Sequence, residues 1–168
     1  MACSLLTEMD FTHVNAANQP TMVDVGAKVP TRRLARAHCR VVLGEELLSR
    51  VQAGEMPSHK GPVIQTAILA GIMGAKKTAD LIPLCHPLGL DDCRITIEPD
   101  GADALRIICT AVVTGRTGVE MEALTGATVA ALTIYDMCKA FSHDISIEGV
   151  QLMEKIGGKK DFHRAENS

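Results

Sequence analysis

The sequence predicts an α+β domain in which an antiparallel sheet carries helices on one face. Four segments alternate apolar and polar side chains, as half-buried strands do. Two longer segments are rich in small and apolar residues with helical spacing. The strands are predicted at 33–43, 92–98, 105–114 and 145–156, and the long helices at 62–78 and within 114–140. The resulting order, β-α-β-β-α-β, is the ferredoxin-like arrangement.

The first predicted strand places its small apolar residues on one side and the charged side chains Arg36, His38 and Arg40 on the other. The charged side is either a solvated sheet face or a subunit contact or anion site. Because the second face of such a sheet needs cover and is only modestly polar, we expect another subunit to supply it, making the protein oligomeric.

The loop 55–62 joins a short helix, predicted at 45–53, to the first long helix. Pro62 suits the first turn of that long helix, which would present His59 and Lys60 at a helix N-terminus that attracts anions. An ordinary solvated lysine is the alternative. The long helix itself contains Gly71 and Gly74, small residues that permit close packing against another element.

The next segment, LIPLCHPL at 81–88, has two prolines that bracket Leu84, Cys85 and His86. Prolines fix the backbone, so this loop could hold a catalytic imidazole or substrate contacts. The alternatives are a turn with a partly buried histidine and a metal site that adds Cys93. The spacing of the metal alternative matches no standard zinc pattern.

The stretch 114–140 is the least polar long run of the chain, and its few charges are unusually placed. Asp136 and Lys139, three residues apart, share one helical face, either as an ordinary ion pair or as part of a site whose low dielectric shifts both pKa values. Glu120 and Glu122 lie near the start. On one straight helix Glu122 and Asp136 would stand about 21 Å apart. Either the chain turns near Glu122 or two subunits share a site.

Composition indicates one compact domain, because the chain has 168 residues and is 46% hydrophobic. A formal charge of -3 and an aromatic content of 2% argue against a nucleic-acid partner. The six cysteines show no paired spacing and are interpreted as reduced core thiols. Without a leader or a long apolar run, the chain is expected to be soluble and cytoplasmic, with no membrane partner.

Three regions of the chain are expected. Residues 1–20 form a flexible lead-in, residues 21–158 form the single domain, and residues 159–168 form a mobile tail. The tail contains Lys159, which could close over a bound anion, although a solvated basic tail is the simpler interpretation.

Six strings of the sequence together resemble the MoaC family, the cyclic pyranopterin monophosphate synthases of molybdenum cofactor biosynthesis. The longest are LIPLCHPL, TGVEMEALT at 117–125 and AALTIYDMCKA at 130–140. MVDV at 22–25, HKG at 59–61 and GGK at 157–159 extend the match over nearly the whole chain. The resemblance implies a homohexamer, a trimer of dimers, with active sites at the dimer interface. We expect no cofactor, because carboxylates and lysines suffice in principle for proton transfers without a redox change, and a divalent ion on the substrate phosphates is left open.

The resemblance further implies the substrate, a cyclised dihydro-GTP that is converted to cyclic pyranopterin monophosphate with loss of diphosphate. Residues at matching motif positions are implied to act in catalysis: Asp136, Lys139, Lys60 and His86. A second group is implied to bind substrate: Leu84, Cys85, His86, Met121 and Glu122. From the chemistry we add two residues to this group, Glu120 to hold the guanine edge together with Glu122 and Lys159 to neutralise the triphosphate. The alternative hypotheses are a non-catalytic guanine-nucleotide-binding oligomeric domain and a purely structural oligomer.

Overall fold

The computed structural model of the protein describes Ala17 and residues 19–165, so nearly all of the predicted lead-in lies outside the described residues. One five-stranded sheet dominates the fold, in the order β4-β5-β1-β6-β7, and every neighbouring pair is antiparallel. A separate two-stranded sheet pairs β2 with β3. The strands are β1 (Thr31–Val42), β2 (Pro57–Ser58), β3 (Gly61–Pro62), β4 (Asp92–Asp100), β5 (Ala104–Gly115), β6 (Ser146–Ile156) and β7 (Phe162–His163).

Two long helices cover one face of the main sheet. The helices are α1 (Glu45–Leu48), α2 (Val63–Lys76), α3 (Thr78–Leu81) and α4 (Glu120–Cys138). The helices α2 and α4 pack against each other, and a Cβ at Gly71 would stand 2.7 Å from the Gly126 carbonyl oxygen. Glycine is therefore needed where the two helices meet. The predicted mixed α+β architecture, and the close packing of the small residues in α2, are confirmed.

The predicted helix at 45–53 is wrong beyond its first turn, because α1 ends at Leu48. Ala53 has a φ of 50° and Gly54 a φ of 77°, both in the left-handed region that a helix cannot use. An isolated bridge between Gln52 and Glu55 then reverses the chain into the β2–β3 hairpin. The sequence prediction treated this whole hairpin as loop.

Ion pairs cross the sheet face that lies opposite α2 and α4. Arg40 bonds to Asp100 at 3.0 Å and to Asp103 at 2.7 Å, and Arg36 approaches Glu154 at 3.6 Å. A cavity of about 820 Å³ opens on this face. The outward direction predicted for the β1 charges is therefore confirmed, whereas the subunit that was expected to cover them stays a prediction.

The C-terminal tail runs along the edge of the main sheet. Phe162 and His163 pair with Lys155 and Glu154 of β6, and the Arg164 N–H donates to the Met153 carbonyl at 2.8 Å. Closure of this tail over an anion stays a prediction.

The cysteines within the described residues are all free, as predicted. The thiols of Cys39, Cys109 and Cys138 are buried, and those of Cys85 and Cys93 are partly buried. Between residues 19 and 165, none of the helices has both the length and the apolar character needed to cross a membrane.

Candidate active site

The lysine cluster, defined as Lys60, Asp136 and Lys139, lies at the C-terminal end of α4. Lys60 occupies the turn between β2 and β3, and its Nζ donates to Asp136 Oδ2 at 2.8 Å and to the Asp136 carbonyl oxygen at 3.2 Å. Lys139 Nζ lies 2.7 Å from Asp136 Oδ1. One carboxylate is thus held between two ammonium groups that come from distant parts of the chain.

This arrangement shifts two pKa values. The hydrogen bond from Lys139, followed by that from Lys60, lowers the pKa of Asp136 to about 2. The same contact with Asp136 raises the pKa of Lys139. The expectation that a low dielectric causes these pKa shifts is wrong. All three side chains are about half exposed, and burial contributes least to the shift of the Asp136 pKa. Pairing of charges, rather than desolvation, keeps Asp136 ionised.

The N-terminus of α2 already holds a carboxylate, that of Glu55. Its oxygens accept the backbone N–H groups of Met56 at 2.7 Å, Ile64 at 2.8 Å and Gln65 at 3.0 Å. Burial alone would raise the pKa of Glu55, but these hydrogen bonds outweigh it and hold that pKa below its usual range. The expectation that His59 and Lys60 form an anion site with this helix terminus is therefore wrong, since Glu55 occupies those donors.

The carboxylate cavity, about 370 Å³ in volume, lies at the opposite end of α4. Its walls come from the LIPLCHPL loop, the first turn of α4, the segment around Val23 and the start of the tail. All the residues predicted to bind substrate line it: Leu84, Cys85, His86, Glu120, Met121, Glu122 and Lys159. Of the predicted catalytic residues, only His86 is found here. The structure therefore places the predicted site residues in two separate groups.

His86 is held in place by the MVDV segment. Its Nε2 lies 2.8 Å from the Val23 carbonyl oxygen. Because a carbonyl oxygen only accepts hydrogen bonds, this contact requires a proton on Nε2 and leaves Nδ1 for other partners. This contact joins the LIPLCHPL loop to the MVDV segment, because His86 and Val23 are 63 residues apart in the chain.

The two glutamates of the carboxylate cavity have different surroundings. Glu122 is only 4% exposed, and burial, reinforced by the charge of Glu120, raises its pKa. Glu120 instead accepts a hydrogen bond from Lys155 Nζ at 2.9 Å. A Cβ at Gly118 would collide with the Glu120 carboxylate, so the glycine leaves room for it. The cavity thus contains one paired carboxylate and one desolvated carboxyl group.

A smaller cavity of about 230 Å³ adjoins the carboxylate cavity, and Lys28, Glu120 and Lys159 line both. It adds three cationic side chains, Arg33, Arg116 and Lys155. The sequence prediction missed Lys28 and these three. The local patterns of these four residues are ordinary for cations in strands and loops. The available signals were that Arg116 directly precedes TGVEMEALT and that Lys155 lies two residues before GGK.

The two groups are separated by the length of one helix. The helix α4 runs without interruption from Glu120 to Cys138, and Asp136 follows Glu122 by fourteen residues. At 1.5 Å per residue this separation is about 21 Å. Of the two alternatives that the sequence left open, a chain turn near Glu122 is therefore excluded.

Within residues 19–165, no three His, Cys, Asp or Glu side chains are placed to hold a metal ion. The metal interpretation of Cys85, His86 and Cys93 therefore has no geometric support. Cys93 instead contacts the sulfur of Cys109 at 4.0 Å.

Comparison with known proteins adds independent information. A family model described as the MoaC family matches residues 22–158. A cyclic pyranopterin monophosphate synthase of Xanthomonas campestris pv. campestris (strain B100) is 49% identical over 95% of this chain and 96% of its own. A protein of the same name from Listeria monocytogenes is 49% identical over 94% and 97%, respectively. Molybdenum cofactor biosynthesis protein 1 of Drosophila melanogaster is 50% identical over 93% of this chain but only 27% of its own.

Proposed function

The chain belongs to the MoaC family, and we propose that it catalyses the reaction for which its relatives are named, cyclic pyranopterin monophosphate synthesis. In this reaction (8S)-3′,8-cyclo-7,8-dihydroguanosine 5′-triphosphate is rearranged to cyclic pyranopterin monophosphate with release of diphosphate, in molybdenum cofactor biosynthesis. The observation that carries the proposal is near-50% identity along almost the full length of relatives with this name. We place the reaction in the cytoplasm, with a small-molecule substrate and neither nucleic acid nor membrane as partner.

The chemistry of the two groups of residues supports this proposal. Opening a purine ring, building the pterin and closing a cyclic phosphate require several proton transfers and stabilisation of the leaving diphosphate, without a change in oxidation state. Glu122, with its raised pKa, suits a proton donor, and ionised Asp136 suits a proton acceptor. We therefore assign the reaction no resident cofactor. A divalent ion on the phosphates would only add to the charge neutralisation that the protein supplies.

Asp136 is a weak base as long as both lysines hold it. An anionic substrate that draws Lys60 and Lys139 toward its phosphates would loosen their hydrogen bonds to Asp136 and raise the pKa of that carboxylate. Substrate binding and activation of the base would then be a single event. The cations around the smaller cavity, Lys28 and Arg33 among them, would neutralise the remaining phosphate charge.

We propose that two subunits complete one site, because 21 Å exceeds the reach of one small ligand. If two copies of α4 pack antiparallel about a two-fold axis near Val129, Asp136 of one copy faces Glu122 of the other. The exposed apolar side chains of the helical layer support this packing: Leu69 and Met73 on α2, and Met121 and Leu132 on α4. Three such dimers would form the proposed homohexamer, and the β-α-β-β-α-β order supports a ferredoxin-like subunit.

Incubation of the purified protein with the cyclised dihydro-GTP tests the proposed function. We expect diphosphate and the cyclic pyranopterin in equal amounts, and neither product with the Asp136→Asn variant. A protein that binds the nucleotide, as shown by a raised melting temperature, but releases no diphosphate would be a non-catalytic guanine-nucleotide-binding domain. A melting temperature that does not respond to the nucleotide would indicate a structural oligomer. Either result would contradict the proposal.

A further inference from the structure

The hairpin that carries Lys60 is short. Within its turn, Ser58 Oγ donates to the Gly61 carbonyl at 2.8 Å and accepts the Lys60 N–H at 3.2 Å, bonds that are internal to the hairpin and do not attach it to α4. The strands β2 and β3 contain two residues each, and two-stranded hairpins are only marginally stable in water. At its base, the hairpin is fixed by the Glu55 carboxylate, which accepts the N–H groups of Ile64 and Gln65 at the start of α2. At its tip, the pair between Lys60 and Asp136 joins half-exposed groups, and such surface pairs contribute little order by themselves.

A second contact at the tip comes from Phe141, just beyond α4. The Phe141 ring stacks on the His59 ring with centroids 6.4 Å apart and an interplanar angle of 20°. The guanidinium carbon of Arg50 lies 4.8 Å from the centre of the Phe141 ring. Both distances fall within the ranges for favourable aromatic stacking and cation–π contacts. A side chain from each of three segments therefore meets at the Phe141 ring.

Packing in the core does not explain Phe141. Its side chain is 43% exposed, in a chain with only three Phe, one Tyr and no Trp. Its backbone is fixed to the helix end, since the Phe141 N–H donates to the Cys138 carbonyl at 2.9 Å. The ring is thus attached to the same turn of chain that carries Asp136 and Lys139, and it contacts the residue next to Lys60.

From this geometry we infer that Phe141 is a positioning residue, which holds the His59–Lys60 turn against the end of α4 so that Lys60 Nζ stays on Asp136. The ring acts through His59 and Lys60. Arg50 supports the ring through its guanidinium group. Lys139 does not depend on the stack, because it reaches Asp136 along the helix from three residues away. The expected effect of Phe141 on turnover rests on the proposed function. Its expected effect on the position of Lys60 does not.

Competitive acetylation tests the position of Lys60 without reference to turnover. The protein is treated with trace acetic anhydride, and the modification rate of each lysine is read by peptide mass spectrometry. In Phe141→Ala we expect Lys60 to react about 2- to 10-fold faster, the range set by the free energy of one aromatic contact. Lys139 is the internal reference and should keep its rate. Phe141→Tyr should restore the slow rate of Lys60, and Arg50→Gln should give an intermediate rate.

A matched control is Val150→Ala on β6, because Val150 is an apolar residue with almost the same exposure, 42%. It should leave the Lys60 rate unchanged. An unchanged Lys60 rate in Phe141→Ala would overturn the inference. An equal increase at Lys60 and Lys139 would also overturn it, since it would indicate general loosening of the helix end.

Turnover of the cyclised dihydro-GTP provides the second readout. For Phe141→Ala we expect kcat to fall by up to about 10-fold, the limit set by the free energy of one aromatic contact, with a smaller change in KM. Recovery of kcat in Phe141→Tyr is required. If the wild-type protein releases no diphosphate, the proposed function fails and acetylation alone decides the role of Phe141. If the wild type is active and Phe141→Ala matches it in both readouts, the positioning role fails and the proposed function stands.

Discussion

The two ends of α4 place the same chemical group in opposite surroundings. At the C-terminal end, Asp136 is half exposed and its pKa is lowered to about 2 by Lys139 and Lys60. At the N-terminal end, Glu122 is buried and its pKa is raised by desolvation. When environments push the pKa values of two carboxyl groups apart, one is suited to accept a proton and the other to donate it. A single helix thus carries both the proposed base and the proposed acid, which are too far apart to serve one ligand within one subunit.

The largest expected effect is at the lysine cluster. Asp136→Asn and Lys139→Ala should each reduce turnover at least about 100-fold if these groups transfer protons. Initial rates of diphosphate release from the cyclised substrate measure this. The matched controls are Asp144→Asn and Lys76→Ala, both exposed and outside the two groups of site residues. Near-normal turnover by Asp136→Asn would show that Asp136 is not the base.

Next in size is the contribution of the tail to substrate binding at the carboxylate cavity. Lys159→Ala should raise KM about 10-fold, the value of one charge-assisted hydrogen bond, with a smaller change in kcat. Steady-state kinetics at constant ionic strength give both constants. Lys160→Ala is the control, because the neighbouring lysine does not line the cavity. Equal effects of the two substitutions would indicate only a general contribution of tail charge.

The titration of Asp136 sharpens the difference between the two carboxyl groups. Carbon-13 NMR of the carboxyl carbon should show Asp136 ionised down to about pH 2. Lys139→Ala should raise this pKa more than Lys60→Ala, because the Lys139 hydrogen bond is the largest cause of the shift. The folded-state pKa is depressed, so the stabilisation by these pairs is present above the unfolded pKa, 3.8 in a model compound, and lost as the pH falls toward 2. If Lys60→Ala raises the pKa of Asp136 more than Lys139→Ala does, Lys60 rather than Lys139 is the main cause of the lowered pKa.

The smallest expected effect is on stability at Glu122. Because its folded-state pKa is raised, any stability that this group contributes is present at low pH and lost as the pH rises through that pKa. Glu122→Gln should therefore melt about 2–4 °C above the wild type at pH 8 and close to it at pH 4. Exposed Glu98→Gln serves as the control. If the difference in melting temperature between Glu122→Gln and the wild type is the same at both pH values, burial does not set the protonation state of Glu122.

Much of the fold could be predicted from alternation alone, since the main sheet buries one face. The strand β1 is the clearest example, because Ala35, Ala37, Cys39 and Val41 are all buried. The β2–β3 hairpin was not predictable, because two residues per strand are too few to form a pattern. The helix α1 ends at Leu48, where tight turns replace it: the Arg50 N–H donates to the Leu47 carbonyl and the Val51 N–H to the Leu48 carbonyl. The composition of the segment indicates neither these turns nor the left-handed backbone that follows at Ala53.

For the site, the motif positions identified the lining of the carboxylate cavity, and the structure brings those side chains together. What the motifs could not show is which residues support them. Glu120 meets Lys155 across 35 residues of sequence, and Lys60 meets Asp136 across 76. Such contacts depend on how the sheet and helices pack, and neither partner has a local pattern that indicates the other.

Complementation between two inactive variants tests most directly whether the two ends of α4 from different subunits form one site. Asp136→Asn and Glu122→Gln are co-expressed with different tags, and the mixed assembly is isolated by both tags. In a shared-site dimer that pairs the two variants, one of the two sites contains neither substitution, so an isolated mixed dimer should recover about half of the wild-type rate. In the proposed hexamer, where subunits pair at random and about half of the dimers are mixed, the expected recovery is about a quarter. As a control, an assembly of two differently tagged copies of Asp136→Asn should stay inactive. If the mixed assembly of the two variants is as inactive as each variant alone, the two ends do not form one site between subunits.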